Sequence, residues 1–219
     1  MSKELFDAIR AGDQDKARSL VAADPALLAS KDERGLSPYV AAKYSGRNDI
    51  AAMLLEQGAD LDLFAACMAG AAERVVELVR GQADLVGGYS PDGWTPLHLA
   101  CFFSQPAVAE ALIALGADVN ARSRNPMQNT PLHAATGGRC RDAVRALLEH
   151  GADVNARQEG GWTALHAAAQ NGDVEMVRLL IASGADVQAR AGNQQNALDL
   201  ALTKGHEAVV TLLDEYATQ

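Results

Sequence analysis

The chain has 219 residues, of which 48% are hydrophobic but only 5% aromatic, and its formal charge is −9. Apolar content that is mostly Ala, Leu and Val favours closely packed helices and excludes a compositionally disordered chain. The acidic balance argues against nucleic acid as a ligand, since phosphates require clustered Lys and Arg. No apolar run approaches the roughly 18 residues of a membrane-spanning helix, so no membrane segment is expected.

The N-terminus and the cysteines bear on the compartment. The first residues, Met1 to Asp7, show no basic region followed by an apolar one, so no secretory signal is visible. Three cysteines cannot all pair with one another, and none lies in a C-x-x-C motif. We therefore expect the cytoplasm, with reduced thiols. A secreted effector that binds a host protein is the alternative.

One phrase recurs along the chain at a nearly fixed period. Thr-Pro-Leu-His at 95–98 returns at 130–133 and, as Thr-Ala-Leu-His, at 163–166. With the threonine as anchor, and a later glycine to align the weaker copies, the anchors are 3, 37, 61, 95, 130, 163 and 196. Their spacings are 34, 24, 34, 35, 33 and 33 residues. Such a period is typical of stacked repeats, none of which can bury its hydrophobic face alone.

These motifs resemble those of the ankyrin-repeat family, and the resemblance covers essentially the whole chain. It implies an α-solenoid in which each repeat is a helix-turn-helix followed by a β-hairpin finger. It also implies a concave surface, built from finger tips and first helices, that binds another protein. The expected fold is one ankyrin-repeat domain over 1–219, with about seven repeats at approximately 1–34, 35–60, 61–92, 93–127, 128–160, 161–193 and 194–219.

The recurring threonine and histidine predict a local hydrogen bond. Thr95 suits a helix N-cap, and His98 lies where its side chain can reach back. Phe6 and Phe64 occupy the histidine position in two repeats that also lack the threonine, as a mutual bond would require. A metal site is disfavoured, because equivalent atoms of successive helices lie roughly 8–10 Å apart. Zinc ligands must sit about 2 Å from one ion.

The step from anchor 37 to anchor 61 departs from the pattern, since it is 34 − 24 = 10 residues shorter than the step before it. The preceding helix should end at Gly58, and Asp62 can already cap the next one. We therefore expect one finger to be missing between repeats two and three, leaving a notch beside Asp62. Residues 5–35 also align without a gap onto 63–93, like a second start of the array. The 35-residue step predicts a longer, protruding tip at 123–128.

A set of aromatic and flexible side chains falls at positions that the repeat leaves variable. Their placement on fingers or near the end of a first helix predicts a partner-binding role, with packing between repeats as the alternative. Trp94 and Trp162 lie directly before their anchors. At equivalent positions near the end of a first helix lie Tyr44, Met68 and Phe102, with Phe103 beside the last of them. The long tip adds Arg124 and Met127.

Three arginines form a second candidate site. Arg122, Arg157 and Arg190 each follow their anchor by 27 residues, which predicts a row of like charges on neighbouring fingers. The row could recognise an acidic partner or be neutralised by nearby carboxylates. We include it among the candidate partner-binding residues.

No pattern indicates catalysis, a cofactor or a metal. The chain has no nucleophile elbow, phosphate-binding glycine loop, H-E-x-x-H or dinucleotide fingerprint. Cys67 and Cys101 hold equivalent positions, too far apart for the ~7 Å limit of a disulfide, and should be buried thiols. Cys140, at a turn, could be more exposed. Asn120 and Asn155 resemble asparagines that hydroxylases modify in some ankyrin proteins, with a role in tying fingers together as the alternative.

The sequence therefore predicts a non-catalytic protein–protein interaction module with a rigid concave surface, monomeric in isolation. A self-assembling structural module and a secreted effector are the alternatives.

Overall fold

The computed structural model describes residues 1–217, and over that range it consists of helices and loops with no β-strand. Fourteen α-helices occur in this described part, in pairs separated by a short turn. They are α1 (Ser2–Ala11), α2 (Gln14–Ala23), α3 (Pro38–Tyr44), α4 (Asn48–Glu56), α5 (Leu63–Ala69), α6 (Ala72–Gly81), α7 (Pro96–Phe102), α8 (Pro106–Ala114), α9 (Pro131–Gly137), α10 (Arg141–Glu149), α11 (Ala164–Gln170), α12 (Val174–Ala182), α13 (Ala197–Lys204) and α14 (Glu207–Ala217). Short 3-10 helices occupy Pro25–Ala29, Ala83–Gly87 and Glu159–Gly161.

Local signals set where the first helix of a pair begins. The Thr95 side chain caps α7 by accepting a hydrogen bond from the His98 amide, and Pro96 takes the first helical position, where its missing N–H costs nothing. Ser37 and Pro38 do the same at α3. The helix starts expected from the anchors are confirmed at both places.

The helices stack in two layers. The first helices of successive pairs pack side by side from α1 to α13, and second helices pack likewise, as α6 does against α8 and α8 against α10. Their buried Ala, Leu and Val side chains join into a hydrophobic core that runs from α1 to α14. Each pair therefore buries its apolar face against its neighbours, which makes the molecule an α-solenoid. Within residues 1–217, no helix is both long enough and apolar enough to cross a bilayer.

Five loops between helix pairs fold back on themselves, and we call them fingers. Each is closed by one backbone hydrogen bond of 2.8–3.0 Å, so the expected hairpins are closed loops, without a strand ladder in the described residues. Finger 3 is the longest, as the 35-residue step predicts. The fingers are finger 1 (32–36), finger 2 (90–94), finger 3 (123–129), finger 4 (158–162) and finger 5 (191–195).

Residues 57–62 connect α4 to α5 by a different route. The chain turns at Gly58, where φ is 88°, and reaches Asp62, whose carboxylate accepts a hydrogen bond from the Ala65 amide in the first turn of α5. Residues of finger 1 and finger 2 line one cavity beside this connection. We call the space between these two fingers the notch.

Candidate functional site

Fingers 2 to 5 form a continuous row because each is hydrogen-bonded to the next. The Arg124 amide of finger 3 donates to the Gly93 carbonyl of finger 2 at 2.8 Å. The Glu159 amide of finger 4 donates to the Met127 carbonyl of finger 3 at 2.8 Å, and a third bond joins finger 5 to finger 4. One edge of the solenoid is thereby held in a fixed shape.

Buried histidines add a second set of links, each from a first helix to the finger that follows it. Nε2 of His98 lies 2.9 Å from the Asn129 carbonyl oxygen of finger 3, and its Nδ1 lies 2.7 Å from Thr95 Oγ1. His133 and His166 make the corresponding contacts in the next two helix pairs. The carbonyl can only accept, so Nε2 carries the proton and Nδ1 accepts from the threonine. The predicted threonine–histidine bond is confirmed.

Burial also sets the charge of these histidines. Because burial disfavours the charged imidazolium, it lowers the pKa of His98 and of His133 from 6.5 to about 4 and lowers the pKa of His166 in the same direction. The rings are therefore neutral near pH 7 and act as structural groups. Across residues 1–217, no group of three or more His, Cys, Asp or Glu side chains is placed to hold a metal ion.

The arginine row lies along the fingers and bonds to backbone carbonyls. Arg122 Nη1 lies 2.5 Å from the Arg157 carbonyl oxygen, and Arg157 Nη1 lies 2.7 Å from that of Arg190. Each of the three also donates to a carbonyl of the finger that follows it. Arg190 has a carboxylate neighbour, Asp199, at 3.7 Å. These contacts tie the three guanidinium groups to backbone carbonyls, and Arg190 in addition pairs with a carboxylate. Recognition of an acidic partner by the row stays a prediction.

Two asparagines link the loops that lead from each second helix into the next finger. Asn120 Nδ2 donates to the Gly151 carbonyl at 3.0 Å, while its Oδ1 accepts from the Asp153 amide at 2.8 Å. Asn155 repeats this pair of bonds with residues 184 and 186 of the next repeat. The structural role weighed for these asparagines matches the contacts.

The aromatic side chains form a connected strip across two first helices and a finger. The ring centroids of Tyr44 and Phe103 are 5.8 Å apart, those of Phe103 and Phe102 5.3 Å, and those of Phe102 and Trp94 5.3 Å. Lys43 Nζ lies 5.2 Å from the Phe103 centroid, within cation–π range. The tilted and edge-on geometries are those that aromatic quadrupoles prefer, so the strip is held in one arrangement.

The strip opens into a groove on the finger side of the first helices. Trp94 and Phe102 line one end and Trp162 the other, with finger 3 between them. Phe102 is 42% exposed and Met127 is 49% exposed, although most large apolar side chains of the described chain are buried. Small residues such as Ala134 and Gly137 line the groove between the rings, leaving room for side chains of a ligand.

Not every predicted site residue reaches this groove. Met68 is only 1% exposed and packs in the core, so the equivalence with Phe102 was misleading: a flexible thioether fills space inside the stack. Tyr44 and Phe103 are half-buried and form the other end of the strip. Arg124 stacks its guanidinium 3.8 Å from the centroid of the Tyr89 ring.

The cysteines are all free and buried, within residues 1–217. Burial raises the pKa of the Cys67 and Cys101 thiols, as predicted for core positions. The greater exposure considered for Cys140 is wrong, because its side chain is 4% exposed.

Two features of the groove were not found from the sequence. The first is Gly137, whose missing side chain leaves space beside the Phe102 ring, the nearest atom to a Cβ built there at 3.9 Å. The sequence signal was the Gly-Gly pair at 137–138, because the equivalent positions of the preceding repeat hold the larger Phe102 and Phe103. The second is Asn129, which is 3% exposed and whose Oδ1 has no hydrogen-bond partner among residues 1–217. No sequence signal marked it.

Comparison with known proteins agrees with this architecture. A family model described as "Ankyrin repeats (3 copies)" matches residues 63–158, and one described as "Ankyrin repeats (many copies)" matches 138–181 and 172–213.

Curated relatives match over about half of the chain. Protein phosphatase 1 regulatory subunit 27 of Homo sapiens is 37% identical over 117 residues, covering 53% of this chain and 60% of that protein, and its Mus musculus counterpart is 38% identical over the same length. Probable E3 ubiquitin-protein ligase XBOS31 of Oryza sativa subsp. japonica is 34% identical over 125 residues, covering 52% of this chain and 28% of the ligase. The chain thus spans less than two thirds of each relative.

Proposed function

The chain belongs to the ankyrin-repeat family, and from this premise we propose that it is a non-catalytic module that binds another protein in the groove between Trp94 and Trp162. Phe102, Met127 and the two tryptophans would supply the contact area. The rigid finger row would present them with little loss of conformational freedom on binding.

The proposal includes the finer architecture. Fourteen helices over residues 1–217 support seven repeats with the boundaries given above. The direct connection at 57–62 supports a missing finger between the second and third repeats. Repeats one and seven would cap the stack, and one monomeric domain would span the chain.

The observation that carries the proposal is the exposure of Phe102. A phenylalanine that is 42% exposed, beside Trp94 and a 49% exposed Met127, forms an apolar patch within a concave surface. Aromatic and methionine side chains are enriched in the buried parts of protein interfaces, and a few such residues supply most of the binding energy. Packing alone does not require this exposure.

The relatives support the non-catalytic reading. Two of them are named as regulatory subunits of protein phosphatase 1, so that phosphatase is the first partner to test. The similarity to the ligase covers 28% of that protein and carries no ligase activity to this chain. Free, buried cysteines support a reducing compartment, and we propose the cytoplasm.

The test is a pull-down from native lysate, with mass spectrometry to identify the partner and calorimetry to measure its affinity. Phe102→Ala should weaken binding by about 2 kcal/mol or more with little change in melting temperature. Leu202→Ala is the matched control, because Leu202 is 57% exposed and outside the groove. Equal affinities for the two variants would contradict the proposal. Concentration-dependent light scattering without a partner would favour self-assembly.

A further inference from the structure

The groove between Trp94 and Trp162 carries one charged side chain among the described residues that line it, and that side chain is a carboxylate. Glu159 is exposed on finger 4, where its amide is fixed by the hydrogen bond to the Met127 carbonyl. Within residues 1–217, the Glu159 carboxylate forms no ion pair and accepts no hydrogen bond. The His133 ring in the same lining is neutral near pH 7 because burial lowers its pKa to about 4. The side chains of the groove therefore bring one uncompensated negative charge.

The aromatic rings of the groove have no cation of their own. At the other end of the aromatic strip, Lys43 Nζ lies 5.2 Å from the Phe103 centroid. In the described part of the chain, no lysine or arginine lies over the ring of Trp94, Phe102 or Trp162. An aromatic face attracts a cation within about 6 Å of its centroid, and a tryptophan does so most strongly. The rings of the groove therefore leave this interaction to a ligand.

The groove is accessible and has room for a long side chain. Its volume of about 510 Å³ falls within the roughly 300–1,000 Å³ that ligand sites occupy. Phe102 and Met127 are exposed, and the two tryptophans are half-buried, so a ligand can reach these walls from solvent. Gly137 leaves space beside the Phe102 ring, as described above. A side chain that enters the groove can therefore contact an aromatic ring without displacing a core residue.

The backbone around the groove favours a cation as well. Phe102, Gly137 and Gln170 are the last residues of α7, α9 and α11, and all three belong to the lining. The carboxyl end of a helix carries a partial negative charge, which stabilises a nearby cation. The arginine row does not offset this charge from within the groove, because its side chains donate to backbone carbonyls and are not part of the lining. Side chain and backbone therefore indicate the same sign of ligand charge.

We propose that the groove binds an arginine side chain of the partner protein. The guanidinium lies against the aromatic rings and pairs with the Glu159 carboxylate, while the aliphatic stem packs on Phe102 and Met127. Arginine suits this site because its planar cation stacks on aromatic faces and is more weakly hydrated than an ammonium group. An acidic side chain would instead meet a like charge, and the net charge of −9 attracts a basic segment from a distance. The inference rests on the proposed function, since it names the chemistry of the ligand that the groove takes.

The test is a titration of the isotopically labelled full chain, followed by NMR, with N-acetyl-arginine-N′-methylamide as the probe. Trp94 and Trp162 are the only tryptophans in the sequence, so their indole N–H signals report on the groove directly. The probe should shift at least one indole signal and the Glu159 amide signal. The citrulline analogue, which is neutral and of similar shape, should bind about tenfold more weakly, and the glutamate analogue should cause no shift. Absence of shifts with the arginine probe, equal affinity for citrulline, or tighter binding of the lysine analogue would overturn the inference.

A charge-removing variant makes the test specific. Glu159→Gln keeps the shape of an exposed side chain and should weaken binding of the arginine probe about two- to fivefold, as loss of an exposed ion pair does. Binding of the citrulline analogue should stay the same. Glu110→Gln is the matched control, because Glu110 is also exposed but lies on α8, outside the lining. Arginine-probe affinity that is equal in Glu159→Gln and the unmodified chain would contradict the inference.

The outcomes separate this inference from the proposed function. With the partner recovered by pull-down, both Phe102→Ala and Glu159→Gln should weaken binding. Loss of partner affinity in Phe102→Ala but not in Glu159→Gln, without shifts from the arginine probe, would refute the arginine and leave the proposed function standing. Shifts from the probe, with partner affinity that Phe102→Ala does not change, would refute the proposed function and retain the preference of the groove for arginine. Indole shifts that appear on raising the protein concentration without probe would make a second copy of the chain the occupant, and would also overturn the inference.

Discussion

Fingers 2 to 5 and the connection at 57–62 join neighbouring helix pairs in different ways. Between successive fingers the chain places a backbone hydrogen bond, a buried histidine or an arginine that reaches the next carbonyl. Across the notch, the polar side-chain links are the hydrogen bond from Tyr44 to Asp92 and the Lys31–Asp62 ion pair, whose two side chains are half exposed. Tyr44 and Lys43 also contact the Phe103 ring. Because solenoid stability is a sum of repeat and nearest-neighbour terms, the N-terminal helix pairs should be the less firmly attached region.

The difference has a functional reading. The groove lies entirely on residues from α7, α9, α11 and fingers 2 to 4, where the links are dense. A preorganised surface loses little entropy on binding. The same repeat pattern thus yields a densely linked surface in one place and, at 57–62, a connection without a finger in another.

Acidification should give the largest change, and it should act on the finger row. Where the native pKa of a buried histidine is about 4 and the unfolded value 6.5, the unfolded state binds more protons between those values. Stability is then fully present above pH 6.5 and falls by about 1.4 kcal/mol per pH unit for each such histidine as the pH drops toward 4. Urea unfolding between about pH 7 and about pH 5 measures this slope.

His133→Gln removes one titrating ring and should reduce the slope of stability against pH. The protection of the α1 amides against hydrogen exchange, relative to their intrinsic rates, should depend less on pH, because Phe6 replaces the histidine there. A slope unaffected by the substitution would contradict the assignment to these rings.

Gly138→Ala should have the next effect, comparable in size to that of Tyr44→Phe below, because the tight contact between α7 and α9 leaves no space for a Cβ. A Cβ built there collides with the Phe102 carbonyl oxygen and lies 2.9 Å from that of Cys101. We expect a loss of about 1–3 kcal/mol in the free energy of unfolding. The matched control is Gly137→Ala, where the nearest atom is 3.9 Å away and a helical alanine gains up to about 1 kcal/mol. Equal stability of the two variants would show that the contact can relax.

Tyr44→Phe tests the weaker attachment of the N-terminal helix pairs across the notch. The hydroxyl donates to the Asp92 carboxylate at 2.5 Å, and loss of a hydrogen bond to a charged group costs about 1.5–3 kcal/mol. Amides of α3 and α4 should exchange faster, and those of α10 and α12 should not. Tyr89→Phe, which loses a bond to the exposed Arg122 carbonyl, is the control and should have the smaller effect. Faster exchange throughout the chain would mean that no weak joint exists.

Arg157→Gln should give the smallest effect, about 0.5–1.5 kcal/mol of stability. Its acceptors are backbone carbonyls, so added salt should change this loss little, unlike that of an ion pair. Arg18→Gln, at an exposed position of α2, serves as the control. A partner affinity that falls steeply with added salt in the unmodified protein, and no longer does so in Arg157→Gln, would instead show that the arginine row contacts the partner.

The fold was predictable because the residues at and after each anchor determine local structure by short-range interactions. Thr95 and His98 determine a helix start and a hydrogen bond together, and Gly58, at φ 88°, follows the end of α4 as the sequence predicts. The site was only partly predictable, since equivalent positions need not share an environment. Met68 and Phe102 align in the repeat, but the first is buried and the second exposed.

The remaining differences arise from long-range contacts. Arg122 reaches the Arg157 carbonyl, 35 residues on, and the spacing of arginines alone cannot tell a carbonyl acceptor from an acidic partner. Cys140 falls at a turn, yet neighbouring helices cover it. The position of residues at helix ends was clear from sequence, but their exposure depended on which neighbour packs over them.

The central claim, that a protein partner sits over Phe102, is tested most directly by site-specific photocrosslinking. A p-benzoylphenylalanine at position 102 should crosslink the partner recovered by pull-down, and the same group at position 202, which is more exposed but outside the groove, should not. Crosslinking from position 202 but not from 102, with both proteins folded and both binding the partner, would place the interface elsewhere and contradict the account.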